Sequence, residues 1–478
     1  MDHKKLKKLD GVKGTIRAAE GILEVLLLTV AYYFVWRNGY GEEGFPPYYG
    51  SGKYVLAGVY AALLFFLVYN YDGFEFGYLK LFDVVLSQWI AVLIVNFITY
   101  FQLCLIANRM ITPGPMLVLM LMELGISFVC VYLYTAIYHH LYVPKNMVMI
   151  FGTETAVGLK FKMETRTDKY AIKKLIPVEV GFEKICQQIV EYDAVVISDV
   201  PAQIRNDILK FCYENQIRTY VTPKLSDIIV RGARDISLFD TPLLLIRSKG
   251  LTVTQRTLKR ILDVVLCAIA MIPAAPIMLL VALAIKLEDG GPVFYTQKRA
   301  TLGCKAFDIL KFRSMIVDAE KEGHSIPATG RDPRITKVGR VIRATRIDEL
   351  PQILNILKGD MSIVGPRPER LEHVEEYSRE IPEFGYRLKV KGGLTGYAQI
   401  YGKYNTSPYD KLRLDLMYIE NYSLMLDIKL ILMTIRIMLS KESTEGFEAN
   451  QELERKTHEI LEEVTHEQEE QEPVGAEK

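Results

Sequence analysis

Ile261-Leu262-Asp263-Val264-Val265-Leu266-Cys267-Ala268-Ile269-Ala270-Met271-Ile272-Pro273-Ala274-Ala275-Pro276-Ile277-Met278-Leu279-Leu280-Val281-Ala282-Leu283-Ala284-Ile285 is the stretch on which the fold turns. It is long and apolar enough to span a ~30 Å hydrocarbon layer. Its flanks argue against crossing: Arg256, Lys259 and Arg260 precede it, and Lys286, Lys298 and Arg299 follow. Positive charge favours the cytoplasmic side at both ends. Pro273 and Pro276 stand in its middle, where each removes a helix hydrogen bond and bends the axis. A helix-break-helix that enters one leaflet and returns satisfies both facts, provided that protein or water covers the irregular backbone. A fully spanning helix is the alternative, and it would put the residues after Ile285 on the opposite side of the membrane.

Upstream, four further apolar segments run from about Gly21 to Trp36, Tyr54 to Tyr69, Leu81 to Ile106 and Pro115 to Tyr138. The first two are short for a bilayer, but flanking Tyr and Trp extend them into the interface. Such stretches are hard to place in a small soluble helical core. Lys4, Lys5, Lys7, Lys8, Lys13 and Arg17 precede the first, and the next loop has only Arg37 and Lys53 against Glu42 and Glu43. The N-terminus is therefore expected in the cytoplasm, and four crossings return the chain there near Lys145. No small-residue cleavage site follows the first apolar run, so no cleaved signal peptide is expected.

From 146 to 250 the pattern changes to alternating strands and helices. Val148-Met149-Ile150-Phe151 and Asp193-Ala194-Val195-Val196-Ile197-Ser198 read as buried parallel strands. Phe182 to Tyr192 and Ala202 to Gln216 have helical periodicity, and Arg218 to Val221 reads as another strand. A small cytosolic doubly wound, Rossmann-like α/β domain is expected. Its first turn, Gly152-Thr153-Glu154-Thr155-Ala156-Val157-Gly158, lacks the G-x-G-x-x-G pattern, and Glu154 would repel a pyrophosphate. A packing, oligomerisation or regulatory module suits it better than a dinucleotide site.

Downstream, residues 287 to 440 are rich in arginine, with short predicted helices and many turns. Arg346-Ile347-Asp348-Glu349-Leu350-Pro351-Gln352 places two carboxylates among Arg334, Lys337, Arg340 and Arg343. Cations lower a carboxylate's pKa and attract phosphate, so the site suits a nucleophilic carboxylate, a metal and a diphosphate. The same residues also suit a solvated cluster of salt bridges. Leu424 to Leu439 is apolar with Asp427, Lys429 and Arg436 along it, as in a helix at the interface or on the catalytic core. The Glu-rich tail from 448 to 478 is expected to be mostly disordered.

Composition agrees with this division into 1–145, 146–250, 251–447 and 448–478. Half of the 478 residues are hydrophobic and the formal net charge is only +1. The six cysteines are scattered, with no C-x-x-C pair. That argues against a zinc site and a disulfide framework, and fits thiols kept reduced in the cytosol.

Gln297-Lys298-Arg299, Lys311-Phe312-Arg313-Ser314-Met315, Asp332-Pro333-Arg334-Ile335-Thr336, Asp348-Glu349-Leu350-Pro351-Gln352, Lys358-Gly359-Asp360-Met361-Ser362, Gly365-Pro366-Arg367-Pro368 and Gly393-Leu394-Thr395-Gly396 occur in that order. The set resembles the bacterial sugar transferase family, the monotopic phosphoglycosyl transferases, over roughly Leu258 to Leu439. With the spans and α/β region ahead of it, the chain looks like the long polyprenyl glycosylphosphotransferases of exopolysaccharide and capsule assembly. The resemblance implies a mainly helical catalytic domain with a re-entrant membrane helix at the cytoplasmic face of the bacterial inner membrane. It implies transfer of a hexose 1-phosphate from a UDP-sugar to undecaprenyl phosphate, releasing UMP. Asp348 would be the nucleophile and Glu349 would help bind Mg²⁺. Lys311, Arg343, Arg367 and Lys403 would contact phosphate. Asp415 would be a carboxylate linked to the site, with capping or pairing to Arg413 or Lys411 as its structural alternative. Lys259, Arg260 and Asp263 match the start of the re-entrant helix and would anchor the head-group region. Ala275-Pro276 aligns with the Ser-Pro pair at the family's helix break, so Pro276 is kept and the serine is absent. Lys403 stands where many relatives have Arg, Lys391-Gly392-Gly393 replaces Arg-Pro-Gly, and Tyr397 replaces Trp. The membrane helices offer surface for a homodimer, and no nucleic-acid partner is expected. The competing readings are a lipid-linked glycosyltransferase releasing UDP, and a non-catalytic membrane scaffold for polysaccharide synthesis.

Overall fold

A computed structural model describes residues 3–40, 52–141, 144–246, 250–317, 332–402 and 406–439. The expected tail from 448 onward and Lys403 lie outside these residues. The chain divides into two compact units, one built on the residues up to Thr222 and the other on Pro223 to Thr434.

The first unit opens with four helices, α1 (His3–Tyr40), α2 (Gly52–Asn70), α3 (Leu81–Ala107) and α4 (Gly114–Leu141). Each holds a segment long and apolar enough to cross a membrane, and a fifth lies at Val253–Asp289. Helix α1 outruns its apolar core at both ends, because a helix that satisfies its own backbone continues into polar flanks. Packing is reversed relative to a soluble bundle. Leu26, Phe97 and Leu105 face outward, whereas Glu24, Gln88, Asn96 and Glu123 are buried. The buried groups pair across helices: Tyr60 Oη donates to Glu123 Oε1 at 2.5 Å, Asn96 Nδ2 to Glu123 Oε2 at 2.6 Å, and Gln88 Nε2 to Glu24 Oε2 at 2.9 Å. Polar groups that avoid the exterior and find each other inside are what a hydrocarbon solvent selects. This reads as a membrane protein.

A four-stranded sheet follows, built from β1 (Lys145–Phe151), β2 (Tyr170–Pro177), β3 (Ala194–Ser198) and β4 (Arg218–Val221). All pairings are parallel, in the order β2-β1-β3-β4. Side chains alternate between two faces. Val148, Ile150, Val195 and Ile197 pack against α6 (Phe182–Ile189) and α7 (Ala202–Glu214). Met147, Met149 and Val196 pack with Ala156 of α5 (Glu154–Glu164). The central strands β1 and β3 are buried on both faces, which explains their continuous apolar runs. A ligand in such a sheet would sit beyond the strand ends where β1 parts from its two neighbours. There a Cβ on Gly152 would lie 2.4 Å from the Asp199 carbonyl oxygen. The two backbones therefore touch where a pyrophosphate would need room.

The second unit begins earlier than the strand–helix alternation suggested. Leu225 and Ile228 of α8 (Leu225–Arg231) share a core with Leu412, Leu416 and Ile419 of the C-terminal region. An exposed antiparallel hairpin, β5 (Arg234–Leu238) with β6 (Thr241–Leu245), leads to α9 (Val253–Asp289). Thr252 and Gln255 cap α9 reciprocally, with Oγ1 accepting from Gln255 N at 3.3 Å and Gln255 Oε1 accepting from Thr252 N at 2.9 Å. Gly290, at φ 70°, ends it. The helix runs through Pro273 and Pro276 without a non-helical interruption. Each proline removes a single backbone donor, and flanking residues keep helical geometry.

Both halves of α9 rest on the same unit. Cys267 and Ala274 pack with Ile353 and Ile356, and Ile285 packs with Phe312 and Ile342. The antiparallel pair β7 (Phe294–Thr301) and β8 (Lys305–Phe312) follows, then α10 (Lys337–Ala344), α11 (Gln352–Lys358), β9 (Ser362–Val364) and α12 (Leu371–Glu380). Strand β10 (Gly393–Thr395) pairs in parallel with β9, and α13 (Tyr397–Tyr401), α14 (Pro408–Glu420) and α15 (Leu424–Leu439), the last as far as Thr434, complete the unit.

Candidate active site

The Asp-Glu dyad lies in a tight 3₁₀ turn, Ile347–Glu349, between α10 and α11. Helix α10 is amphipathic: Ile342 is buried while Arg340 and Val341 are exposed. Thr336 caps it by accepting from Gly339 N at 2.9 Å. Arg346 then adopts φ 54°, a left-handed conformation that costs a non-glycine residue roughly 1–3 kcal/mol. That kink directs the chain into the 3₁₀ turn and sets both carboxylates where α11 begins.

Cations converge on the turn from three elements. Lys311 of β8 donates from Nζ to Glu349 Oε1 at 2.6 Å, and Arg367 Nη2 lies 3.5 Å from the same oxygen. Burial acts to raise the Glu349 carboxyl, but Lys311, Arg367 and Arg346 outweigh it and hold it at about 2. Asp348 behaves in the opposite way. Burial raises its pKa, the adjacent Glu349 charge adds to this, and Lys311 and Arg343 offset only part of the rise. Neighbouring carboxylates whose pKa values are pushed apart serve different roles. The permanently ionised one suits a cation, and the more basic one suits attack.

Arg367 is held by its surroundings. A Cβ on Gly393 would lie 2.1 Å from Gly365 N, and one on Gly396 would lie 2.1 Å from Gly365 O. The Gly-Pro-Arg-Pro and Gly-Leu-Thr-Gly motifs thus cross backbone to backbone, which only glycine allows. Arg299 Nη1 donates to Pro368 O at 3.1 Å and its Nη2 to Gln297 Oε1 at 2.6 Å. Burial, with Arg367 adding, lowers the Arg299 pKa to about 10.

Asp415 reaches this turn indirectly. It is 1% exposed, and it accepts from Arg387 Nε at 2.9 Å; Arg387 Nη2 in turn donates to Arg367 O at 3.0 Å. Of the two partners suggested by sequence spacing, Arg413 and Lys411, Arg413 pairs with Asp410 at 3.0 Å. Burial raises Asp415 to about 6 despite Arg387. Arg387, absent from every motif, was not legible in the sequence; its only signal is a lone arginine in a short apolar-flanked segment.

The α9 residues have other surroundings. Lys259 lies in the interior, 6% exposed, rather than at lipid head groups, and donates to Asp427 Oδ2 at 2.6 Å and Tyr418 Oη at 3.1 Å. A charge that deep needs a partner, and α15 supplies it. Asp263 accepts from Ser362 Oγ at 2.8 Å and Ile363 N at 3.0 Å. Arg260 donates to Ile356 O and Leu357 O at the end of α11. Pro276 lies within α9. Asp348, Glu349, Lys311, Arg343 and Arg367 therefore form one site, Asp415 supports it, and Lys259, Arg260 and Asp263 dock α9.

Replacing Glu349 with Gln removes the charge that raises Asp348 and frees Lys311, so both changes lower the Asp348 pKa. The acid limb of kcat/KM is expected to move to lower pH in Glu349→Gln. Wild-type activity should fall as pH drops through the raised Asp348 pKa, with Glu349 still ionised. A limb at unchanged pH would remove Asp348 from that titration.

Known proteins share this region. The bacterial sugar transferase family model matches residues 254–441. A UDP-N-acetylgalactosamine-undecaprenyl-phosphate N-acetylgalactosaminephosphotransferase of Aeromonas hydrophila is 45% identical over 186 residues, covering 38% of this chain but only 44% of that protein. A UDP-glucose:undecaprenyl-phosphate glucose-1-phosphate transferase of Caulobacter vibrioides is 44% identical over 191 residues, covering 39% of this chain and 71% of that protein. A protein of that same description from Escherichia coli is 40% identical over 211 residues, covering 43% of this chain and 44% of its own length. All three alignments therefore span less than half of this chain. With the ordered motifs gathered around one dyad and the Caulobacter protein matched over most of its length, the chain belongs to the bacterial sugar transferase family.

Proposed function

We propose that this protein transfers a hexose 1-phosphate from a UDP-sugar to undecaprenyl phosphate at the cytoplasmic face of the bacterial inner membrane. The observation that carries the proposal is the half-buried Asp348 beside Glu349, whose Oε1 takes Lys311 Nζ at 2.6 Å and Arg367 Nη2 at 3.5 Å, with Arg343 and Arg346 just before them in the chain. Both substrates are anions, so the site must first suppress their repulsion, and preorganised cations supply that stabilisation.

An Asp348 carboxylate oxygen attacks the β-phosphorus of the donor. The bond from that phosphorus to the bridging oxygen breaks, and UMP leaves with the electron pair. The phosphosugar on Asp348 is then attacked by a phosphate oxygen of the lipid, which regenerates the carboxylate and forms the lipid diphosphate sugar. Splitting one displacement into two predicts ping-pong kinetics. Lys311 and Arg367 neutralise the diphosphate, and Arg343 lies where the charge on Asp348 is felt.

The dyad fits Mg²⁺. Among the described residues no group of three His, Cys, Asp or Glu forms a closed cage. Mg²⁺ characteristically takes one or two carboxylates and completes its shell with substrate phosphates and water. The contacts from Lys311 and Arg367 fall on Glu349 Oε1. Bound there, the ion would offset charge on the leaving phosphate.

Orientation follows from contacts within the first unit. Arg17, in the basic N-terminal part of α1, pairs with Glu75 at 2.6 Å, and Arg166 of the α/β region donates to Gly77 O at 3.1 Å. The basic N-terminal end, the α2–α3 loop and the α/β region thus share one end of the bundle, and positive charge assigns that end to the cytoplasm. A straight helix the length of α9 would extend about 55 Å, far more than the hydrocarbon layer. Lys259 and Arg260 near its start and Ile285 and Asp289 near its end all contact the same unit, which supports a helix that enters and leaves from the same face.

Nucleotide release tests the proposal. Purified protein in nanodiscs with undecaprenyl phosphate, Mg²⁺ and UDP-glucose, UDP-galactose or UDP-N-acetylgalactosamine is expected to release UMP with one donor. UDP release would make it a glycosyltransferase instead, and no release from the panel would leave a non-catalytic role.

A further inference from the structure

Beside the N-terminal third of α9 lies a cavity of about 520 Å³, within the ~300–1,000 Å³ range of ligand pockets. Leu251, Val253, Ile261, Leu302 and Val390 supply an apolar wall, while Arg256, Arg260, Lys389 and Lys391 bring positive charge to it. The one carboxylate in the lining is Asp263, whose two oxygens already accept from Ser362 Oγ and Ile363 N.

Two of these cations, Arg260 and Lys391, meet backbone carbonyls. Arg260 donates to the carbonyls of Ile356 and Leu357, and Lys391 Nζ donates to Gly359 O at 2.6 Å. These acceptors are neutral. Burial, and then the Arg260 charge, push the Lys391 ammonium below its ordinary pKa, and Asp263 and Asp360 oppose this only in part. Exposed Val253, Ile261, Val264 and Val265 carry the apolar surface of α9 past the cavity. A soluble anion would satisfy the charge but not the wall, whereas an amphiphile satisfies both.

We propose that this cavity binds a resident anionic phospholipid, with its phosphodiester on Arg260 and Lys391 and its first chain carbons against Val253, Leu302 and Val390. The inference rests on the placement of α9 at the bilayer. The acceptor lipid's reacting phosphate is excluded from this position by distance. The cations sit at the C-terminal end of α11 and Asp348 lies just before its N-terminal end, so the helix separates them by about 10 Å. A phosphate held in the cavity lies too far from Asp348 to react there. It can instead secure Arg260 and Lys391, the two side chains that hold the last carbonyls of the helix leading from the dyad.

The full-length protein in detergent, titrated with phosphatidylglycerol and read by native mass spectrometry, tests this without turnover, so its failure is distinct from failure of the proposed reaction. Wild type is expected to retain one phosphatidylglycerol about tenfold more tightly than phosphatidylcholine of the same chains. Lys391→Gln, which removes a cation, and Leu302→Trp, which fills the apolar part, should each weaken retention about tenfold. The second variant keeps the test decisive if the first perturbs folding. Equal retention by wild type and Leu302→Trp would overturn the proposal. Displacement of the lipid by inorganic phosphate would make the site one for a free anion, and displacement by undecaprenyl phosphate would assign it to the acceptor; either result overturns a resident phospholipid.

Discussion

Asp348→Asn is expected to abolish the covalent phosphosugar and to lower UMP release by at least about 10⁴-fold, while membrane insertion and thermal stability stay close to wild type. The amide keeps the shape of the side chain but cannot form the acyl phosphate. Because Asp348 is held with a raised pKa, removing its charge relieves rather than strains the folded state. Stability should therefore not fall, which separates a chemical loss from a folding defect. The measurement is intact-protein mass after mixing with donor but no acceptor lipid. An adduct one hexose phosphate heavier is expected on wild type and absent from the variant. An adduct that persists in Asp348→Asn would move the nucleophile elsewhere.

Asp415→Ala is expected to destabilise the second unit by about 3–5 kcal/mol, because it leaves a buried guanidinium with a reduced complement of charge. Arg387 and Asp415 are 2% and 1% exposed, and Glu369 at 3.5 Å from Arg387 Nη1 is the remaining carboxylate. A thermal melt should shift by on the order of 10 °C. The more informative variant pairs Asp415→Leu with Arg387→Met. Removing both charges should recover much of the stability, as for other buried pairs replaced by apolar groups. It would still take away the donor to Arg367 O, so kcat/KM should stay low although the fold is restored. Recovery of both stability and activity by the double variant would show that Asp415 acts only in packing.

Several features were legible because local chemistry determines them. Continuous apolar runs such as Val148 to Phe151 and Ala194 to Ser198 mark strands covered on both faces, and the sheet pairs them in parallel. The dyad's basic neighbourhood was visible because Arg343 and Arg346 lie within a few residues of it, and charge acts over that range whatever the fold. Other contacts depend on residues far apart in sequence. Asp415 has arginine and lysine close by in the chain, yet it pairs with Arg387. Lys259 looked like a head-group anchor because it stands before an apolar helix, but Asp427 draws it inside.

The sequence by itself determined the apolar segments, the parallel strands, the ordered motifs and the presence of two adjacent carboxylates among cations. Each follows from composition and spacing within one segment. Only the tertiary structure decided that Lys311 and Arg367 meet on one oxygen of Glu349, while burial lifts Asp348. It alone laid the two glycine motifs against each other and linked Asp415 through Arg387 to the arginine turn. The reason is physical: pKa and ion pairing depend on burial and on distances of a few ångströms, and those are fixed only when separate segments pack.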